Sequence, residues 1–147
     1  VEGRPLVLGG VTIPWEKGLL GHSDADVALH ALMDAMLGAL GEGDIGRHFP
    51  DSDEQYRGIA STELLRRVVE LTRNKGYRVG NCDVTIVAQA PKLAPYIEEM
   101  RANVARVLGV DVSRVNIKAT TTERLGFEGE GLGISAQAVA VMRSEAK

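Results

Sequence analysis

Val84-Thr85-Ile86-Val87-Ala88-Gln89-Ala90-Pro91-Lys92-Leu93-Ala94-Pro95 changes its period part-way along. Val84, Ile86 and Ala88 alternate with Thr85 and Val87, the repeat of two that predicts a strand. Pro91 and Pro95 then open a helix carrying Ile97, Met100, Val104, Val107 and Leu108 before Gly109. Proline suits that start, because a first-turn N–H has no helical partner to lose. Downstream, Val115 to Ala119 and Ile134 to Met142 read as two more strands. Upstream, Ser61 is placed to cap a helix whose stripe is Leu64, Leu65, Val68, Leu71 and Thr72, with Arg66, Arg67, Glu70 and Arg73 facing water and Gly76 ending it. A mostly apolar helix is expected from Asp24 to about Leu40, capped by Ser23 or Asp24. Leu6 to Leu8 and Val11 to Ile13 flank Gly9-Gly10, a dipeptide suited to a two-residue hairpin turn. Between Gly41 and Gly58 no period is visible, and Gly, Pro and Asp predict a loop. Strands interleaved with amphipathic helices predict an α/β (α+β) two-layer sandwich, a mixed sheet with helices on one face.

The chain has 147 residues, enough for a single domain spanning residues 1–147. No apolar run approaches the roughly 18 residues of a membrane span. The balance of 17 basic against 20 acidic residues leaves a net charge of −3, and no Lys/Arg run interleaves with aromatics, which disfavours nucleic acid as a partner. Cys82 is the only cysteine, so no intrachain disulfide forms and a reducing compartment fits. A cytoplasmic location is expected, or an organelle if a transit peptide has been removed.

His22, Asp26, His30 and Asp34 recur every four residues and so share a helix face, where imidazole and carboxylate are suited to a divalent cation. The competing reading makes His22 a loop residue, His30 a hydrogen-bonded core histidine, and the two acids dipole-favoured or solvated groups. Asp44-Ile45-Gly46 and Phe49-Pro50-Asp51-Ser52-Asp53 could hold sugar hydroxyls or metal-bound water, or form an ordinary polar loop. Lys92 at a strand-to-helix turn suits a phosphate or a base carbonyl, though a lone Lys there is often just solvated. Lys118-Ala119-Thr120-Thr121-Thr122-Glu123 ends a strand with three hydroxyls and a carboxylate able to meet phosphate oxygens. Strand filler is the alternative, and the turn Arg124-Leu125-Gly126-Phe127 that follows argues against it.

Taken together, these segments resemble the 2-C-methyl-D-erythritol 2,4-cyclodiphosphate synthase family over nearly the whole chain. The residues that carry it are His22 to Leu32, Gly43 to Gly46 with Phe49 to Asp51, Ala88 to Lys92, and Lys118 to Glu123 before Leu125-Gly126-Phe127. The resemblance implies release of CMP from a cytidine-diphosphate substrate by a homotrimer whose sites lie between subunits. It implies zinc at His30, and Mg or Mn at Glu123. His22 and Ser23 correspond to a substrate-positioning pair, Asp44, Ile45 and Gly46 to a ribose site, and Phe49, Pro50, Asp51, Ser52 and Asp53 to a segment over the sugar phosphate. Ala88, Gln89, Ala90, Pro91, Lys92, Leu93 and Ala94, with Thr120, Thr121, Thr122 and Glu123, are similar to a cytidine and phosphate pocket. Phe127 joins the substrate-binding set, and His22 and Thr121 are the residues implied at the reacting phosphates. Two rival readings are a metal-dependent phosphohydrolase and a catalytically silent trimeric binding protein.

The sequence departs from the family pattern twice. The family opens with a strand carrying Gly-x-Asp-x-His, whose Asp and His complete the zinc site; that strand is not in this sequence, and the expectation is that the complete protein has it. After Phe127, relatives carry a basic residue and then an acid two positions on, beside a cavity thought to accept isoprenoid diphosphates. Glu130 and Leu132 stand there instead. An anion meeting Glu130 is repelled, so no isoprenoid diphosphate regulation through this cavity is expected; saturable farnesyl diphosphate binding in this cavity that survives Glu130→Ala, read by calorimetry, would refute this.

Overall fold

The computed structural model describes residues 6–14, 26–50, 52–56, 59–89, 91–121 and 133–145. In chain order these form β1 (Leu6–Leu8), β2 (Val11–Ile13), α1 (Val27–Ala39), the single-turn α2 (Ile45–His48), α3 (Ser61–Asn74), β3 (Tyr77–Val87), α4 (Ile97–Leu108), β4 (Val115–Thr120) and β5 (Ser135–Ser144). Strands β1 and β2 pair antiparallel across Gly9 and Gly10, whose φ values of 57° and 77° are the left-handed conformation that this tight turn requires. The main sheet has the order β4-β3-β5, with β3 parallel to β4 and antiparallel to β5. It is a mixed α+β arrangement, as the interleaving predicts. No helix among the described residues is long and apolar enough to cross a membrane.

Alternation on the strands divides the sheet into two faces. Cys82, Val84 and Ile86 of β3 and Val115 and Ile117 of β4 point to the buried side, where Leu32, Met33 and Met36 of α1, Leu65 and Val68 of α3 and Met100 and Val104 of α4 complete the core. The other face carries Asp83, Asn116 and Lys118, and leaves Val139 and Val141 of β5 67% and 50% exposed. Burial pushes the Cys82 thiol up to about 11, with Asp83 adding to the shift, so it remains a protonated core group rather than a nucleophile.

Asp26 ties the hairpin to this frame. Its side chain is fully buried and caps α1, Oδ1 accepting from Leu29 N at 3.1 Å. The same oxygen accepts from Gly9 N at 3.0 Å, and Oδ2 accepts from Gly10 N at 2.8 Å. The expected cap at Ser23 or Asp24 is thereby corrected within the described residues: the helix starts at Val27 and its capping side chain is Asp26. Three further expectations need correction. Residues 45–48 and Glu54–Tyr56 form short helical turns where a loop was expected, because Asp44 caps its own turn through Arg47 N. Ser61 is the first residue of α3 rather than its cap; Ala60 holds the cap position without a side-chain bond. The central strand begins at Tyr77, earlier than the Val84 run, because a register shift between Val79 and Asn81 breaks the alternation there.

Replacing Asp26 by Asn turns one of its acceptor oxygens into an amide donor facing another donor. Asp26→Asn is expected to lower stability by about 2–3 kcal/mol in urea unfolding; a loss under about 0.5 kcal/mol would show that water or a neighbour replaces the carboxylate.

Candidate functional site

Because β3 and β4 run parallel, their C-terminal ends leave the sheet side by side, Val87 opposite Thr120 and Ala88 N donating to Thr120 O at 3.0 Å. The chain then turns through Pro91 and a 3₁₀ segment, Ala94–Tyr96, into α4. A cleft of about 420 Å³ opens between these two strand ends, lined by Ala88, Gln89, Pro91, Lys92, Leu93, Ala94, Ile97, Ala119, Thr120 and Thr121. Of the two segments that the resemblance groups in one pocket, Ala88, Gln89 and Pro91 to Ala94 meet Thr120 and Thr121 here. Its floor is apolar, with Ala88 and Leu93 buried, while Lys92 is exposed and has no ion-pair partner among the described residues. An apolar wall with one cation and hydroxyls at its edge suits a flat heterocycle carrying phosphate. Lys118 of the same segment points elsewhere: its Nζ donates to Asp83 Oδ2 at 2.7 Å on the outer sheet face. That contact, with Asn116, holds the Asp83 carboxyl below the usual carboxylate range.

A second group lies along α1 and the turn after it. His30 is half-buried, with Nε2 3.1 Å from Ser61 Oγ. Asp34 Oδ1 accepts from Ile45 N at 2.8 Å, anchoring α2 to α1. Asp44 Oδ1 accepts from Arg47 N at 2.9 Å. Gly46 is exposed in that turn, Phe49 packs half-buried against the core, and Pro50 and Ser52 follow. Asp53 accepts from Gln55 through both carboxylate oxygens. Of the described members of the row His22, Asp26, His30 and Asp34, Asp26 caps α1, Asp34 anchors α2 and His30 meets Ser61. Among those residues no three His, Cys, Asp or Glu side chains are gathered closely enough to hold a metal ion.

None of the second group lines the described cleft between β3 and β4. His22, Ser23, Asp51, Ala90, Thr122, Glu123, Phe127, Glu130 and Leu132 lie outside the described residues. Two cleft residues were missed as site residues, Ile97 and Ala119. Ile97 had a signal, since the first apolar residue of a helix that follows a strand end faces that end; Ala119 had only its place in the strand.

Residues 1–143 match the YgbB family. The chain belongs to the YgbB family. A relative from Geobacillus kaustophilus, named 2-C-methyl-D-erythritol 2,4-cyclodiphosphate synthase, is 66% identical over 143 residues, covering 97% of this chain and 90% of the relative. Among solved structures, the bifunctional IspDF of Campylobacter jejuni is similar with a TM-score of 0.93 and 42% identity, over 98% of this chain and 39% of that one. The Plasmodium falciparum IspF CDP complex is similar with a TM-score of 0.85 and 35% identity, over 99% of this chain and 88% of that one. The last of these was solved as a complex with CDP, a nucleoside diphosphate.

The His30–Ser61 contact joins α1 to the start of α3. Ser61→Ala removes it at a buried position and is expected to cost about 1 kcal/mol in denaturant unfolding; unchanged stability would mean that His30 is held by its other neighbours.

Proposed function

We propose that the chain converts 4-diphosphocytidyl-2-C-methyl-D-erythritol 2-phosphate into CMP and 2-C-methyl-D-erythritol 2,4-cyclodiphosphate, the product that its relatives' names give for them. The observation that carries this reading is the cleft in which Ala88 to Ala94 and Thr120 with Thr121 meet at the paired ends of β3 and β4. Its shape and chemistry suit the cytidine end of such a substrate, with Lys92 toward phosphate and the Thr121 hydroxyl toward the reacting phosphorus. Asp44, through the carboxylate oxygen that its cap leaves open, and Gly46 take the ribose. Phe49 to Asp53 cover the sugar phosphate, and His22 and Ser23 position it.

The chemistry asks for little beyond placement. The 2-phosphate is already an anion, so no side chain has to remove a proton from the nucleophile. One of its oxygens bonds to the β-phosphorus while the bond from that phosphorus to the CMP oxygen breaks, and CMP carries away the electron pair. Holding the nucleotide at one end and the sugar phosphate at the other makes the attack intramolecular, worth about 7–11 kcal/mol when well oriented. A divalent cation, when bound, neutralises oxygens that would repel the attacking group. Glu123 is the proposed ligand for Mg or Mn. His30 is the proposed zinc donor from this chain, and the remaining donors would come from a Gly-x-Asp-x-His segment. The described residues around His30 do not by themselves complete a zinc site.

A homotrimer is part of the same proposal. The His30 to Asp53 group and the Lys92 cleft need a neighbour to bring them together, and the outer sheet face, with Val139 and Val141 uncovered, is the surface available for it.

Incubation of the complete protein with the substrate, with and without a chelator, followed by phosphorus NMR, tests the activity: a cyclic diphosphate with CMP is expected only without chelator. An acyclic product would favour the phosphohydrolase reading, and no turnover the silent binding protein. Thr121→Ala is expected to slow turnover by roughly two to three orders of magnitude if its hydroxyl serves the transition state; an unchanged rate would leave Thr121 a packing residue.

A further inference from the structure

The geometry points to a second anion site, at the opposite end of the sheet from the Lys92 cleft, that binds a small molecule carrying a diphosphate. Arg78 on β3 and Arg143 on β5 are direct partners across the antiparallel ladder. Like charges so placed repel and destabilise the pairing. Arg114, in the turn before β4, brings a third guanidinium to the same place. The three line one cleft of about 400 Å³ with Val79, Ser144 and Glu145.

The arginines are positioned rather than loose. Arg78 Nη2 donates to Gly109 O at 3.3 Å, and Arg114 Nη1 donates to Gly80 O at 3.0 Å. The stem of Arg143 lies across Gly80, where a Cβ would come within 2.9 Å of its Cγ and Cδ. A carbonyl satisfies one N–H of a guanidinium and leaves its charge uncompensated. Several other surface cations of this chain are ion-paired, although among the described residues Lys92 and Arg73 are not. Arg66 is paired with Glu63 and Glu70, Arg101 with Glu98, Lys75 with Glu42 and Lys118 with Asp83. Among the described residues no carboxylate pairs with Arg78, Arg114 or Arg143, although the chain is acidic overall with a net charge of −3. Glu145 stands at the rim with its backbone N–H committed to Gly76 O, and tempers the field without closing an ion pair.

Three forks, two of them held by backbone carbonyls and the third by its stem against Gly80, line one cavity and repel one another, an arrangement suited to a multiply charged phosphate that each can grip through paired N–H groups. The strand separates this cleft from the Lys92 pocket by roughly 30 Å. All its lining residues belong to one chain, and none of them lines the Lys92 cleft, so the site does not depend on the proposed activity.

The test is calorimetric titration of the complete protein with inorganic diphosphate at low salt, in a Lys92→Gln background that weakens the other pocket. Saturable binding is expected, and Arg78→Gln with Arg143→Gln should weaken it at least about tenfold, since each removes a charged hydrogen-bond donor. A smaller loss, or no saturable binding, overturns the site. The same double variant should melt higher than its parent without ligand, and diphosphate should raise the melting temperature of the parent alone; a lower melting point in the variant overturns the argument from repulsion. NMR of the arginine Nε–Hε groups needs no variant of the cleft: the signals of Arg78, Arg114 and Arg143 should shift together on titration, and their failure to move refutes the proposal.

Discussion

A carboxylate removed from water must find donors for its oxygens, and in this chain Asp26 finds them on two elements at once. The hairpin turn presents Gly9 N and Gly10 N, and α1 presents Leu29 N. Neither partner is stable alone. A two-stranded hairpin is marginal in water, and the first N–H groups of a helix lack partners. One side chain resolves both problems, and with them the orientation of α1 on the sheet. His30 sits one turn further along the same helix, so its position against Ser61 follows from the clasp.

Strand direction then distributes the chemistry. Parallel pairing of β3 with β4 sends both chain exits to one end, where loops with small and hydroxyl side chains leave a cleft. Antiparallel pairing of β3 with β5 collects the start of one and the finish of the other at the opposite end, where Arg78 meets Arg143. Side-chain alternation adds a second sorting. Lys118 follows Ile117 in sequence but points to the other face, so its ammonium answers Asp83 instead of the cleft. Adjacency in a motif does not imply a shared site when the motif is a strand, since neighbours are turned apart by the pleat.

Much of this was legible in the sequence. The Val84 to Pro95 stretch marks a strand passing into a helix, Gly9-Gly10 marks the hairpin, and the resemblance groups the two segments that line the Lys92 cleft. What could not be read were the tertiary hydrogen bonds. Asp26 looked like one member of a four-residue row because spacing reports which residues share a face, not which backbone donors stand opposite them. Ser61 looked like a cap because hydroxyls favour that position, yet the buried contact with His30 places it one residue inside the helix. The early part of β3 was hidden by a register shift at Gly80, and the arginine cleft was invisible because its members come from three separate segments.

The contrast between the two ends of the sheet is itself informative. Surface ion pairs are individually weak, typically under about 1 kcal/mol, so a protein gains little stability by pairing its cations and loses little by leaving one unpaired. Leaving three unpaired in one cleft is different, because their mutual repulsion accumulates where the strands are joined. Each of the two hydrogen-bonded guanidiniums also spends a donor on a main-chain carbonyl, which restricts its motion without neutralising it. An arrangement selected for stability alone would place Glu or Asp opposite Arg78 in the ladder, as it places Asp83 beside Lys118 further along the same sheet. Arg143 in that place makes the end of the sheet a binding surface at some cost in pairing energy, whereas the Asp83 region, already neutralised, is suited to lie against another surface.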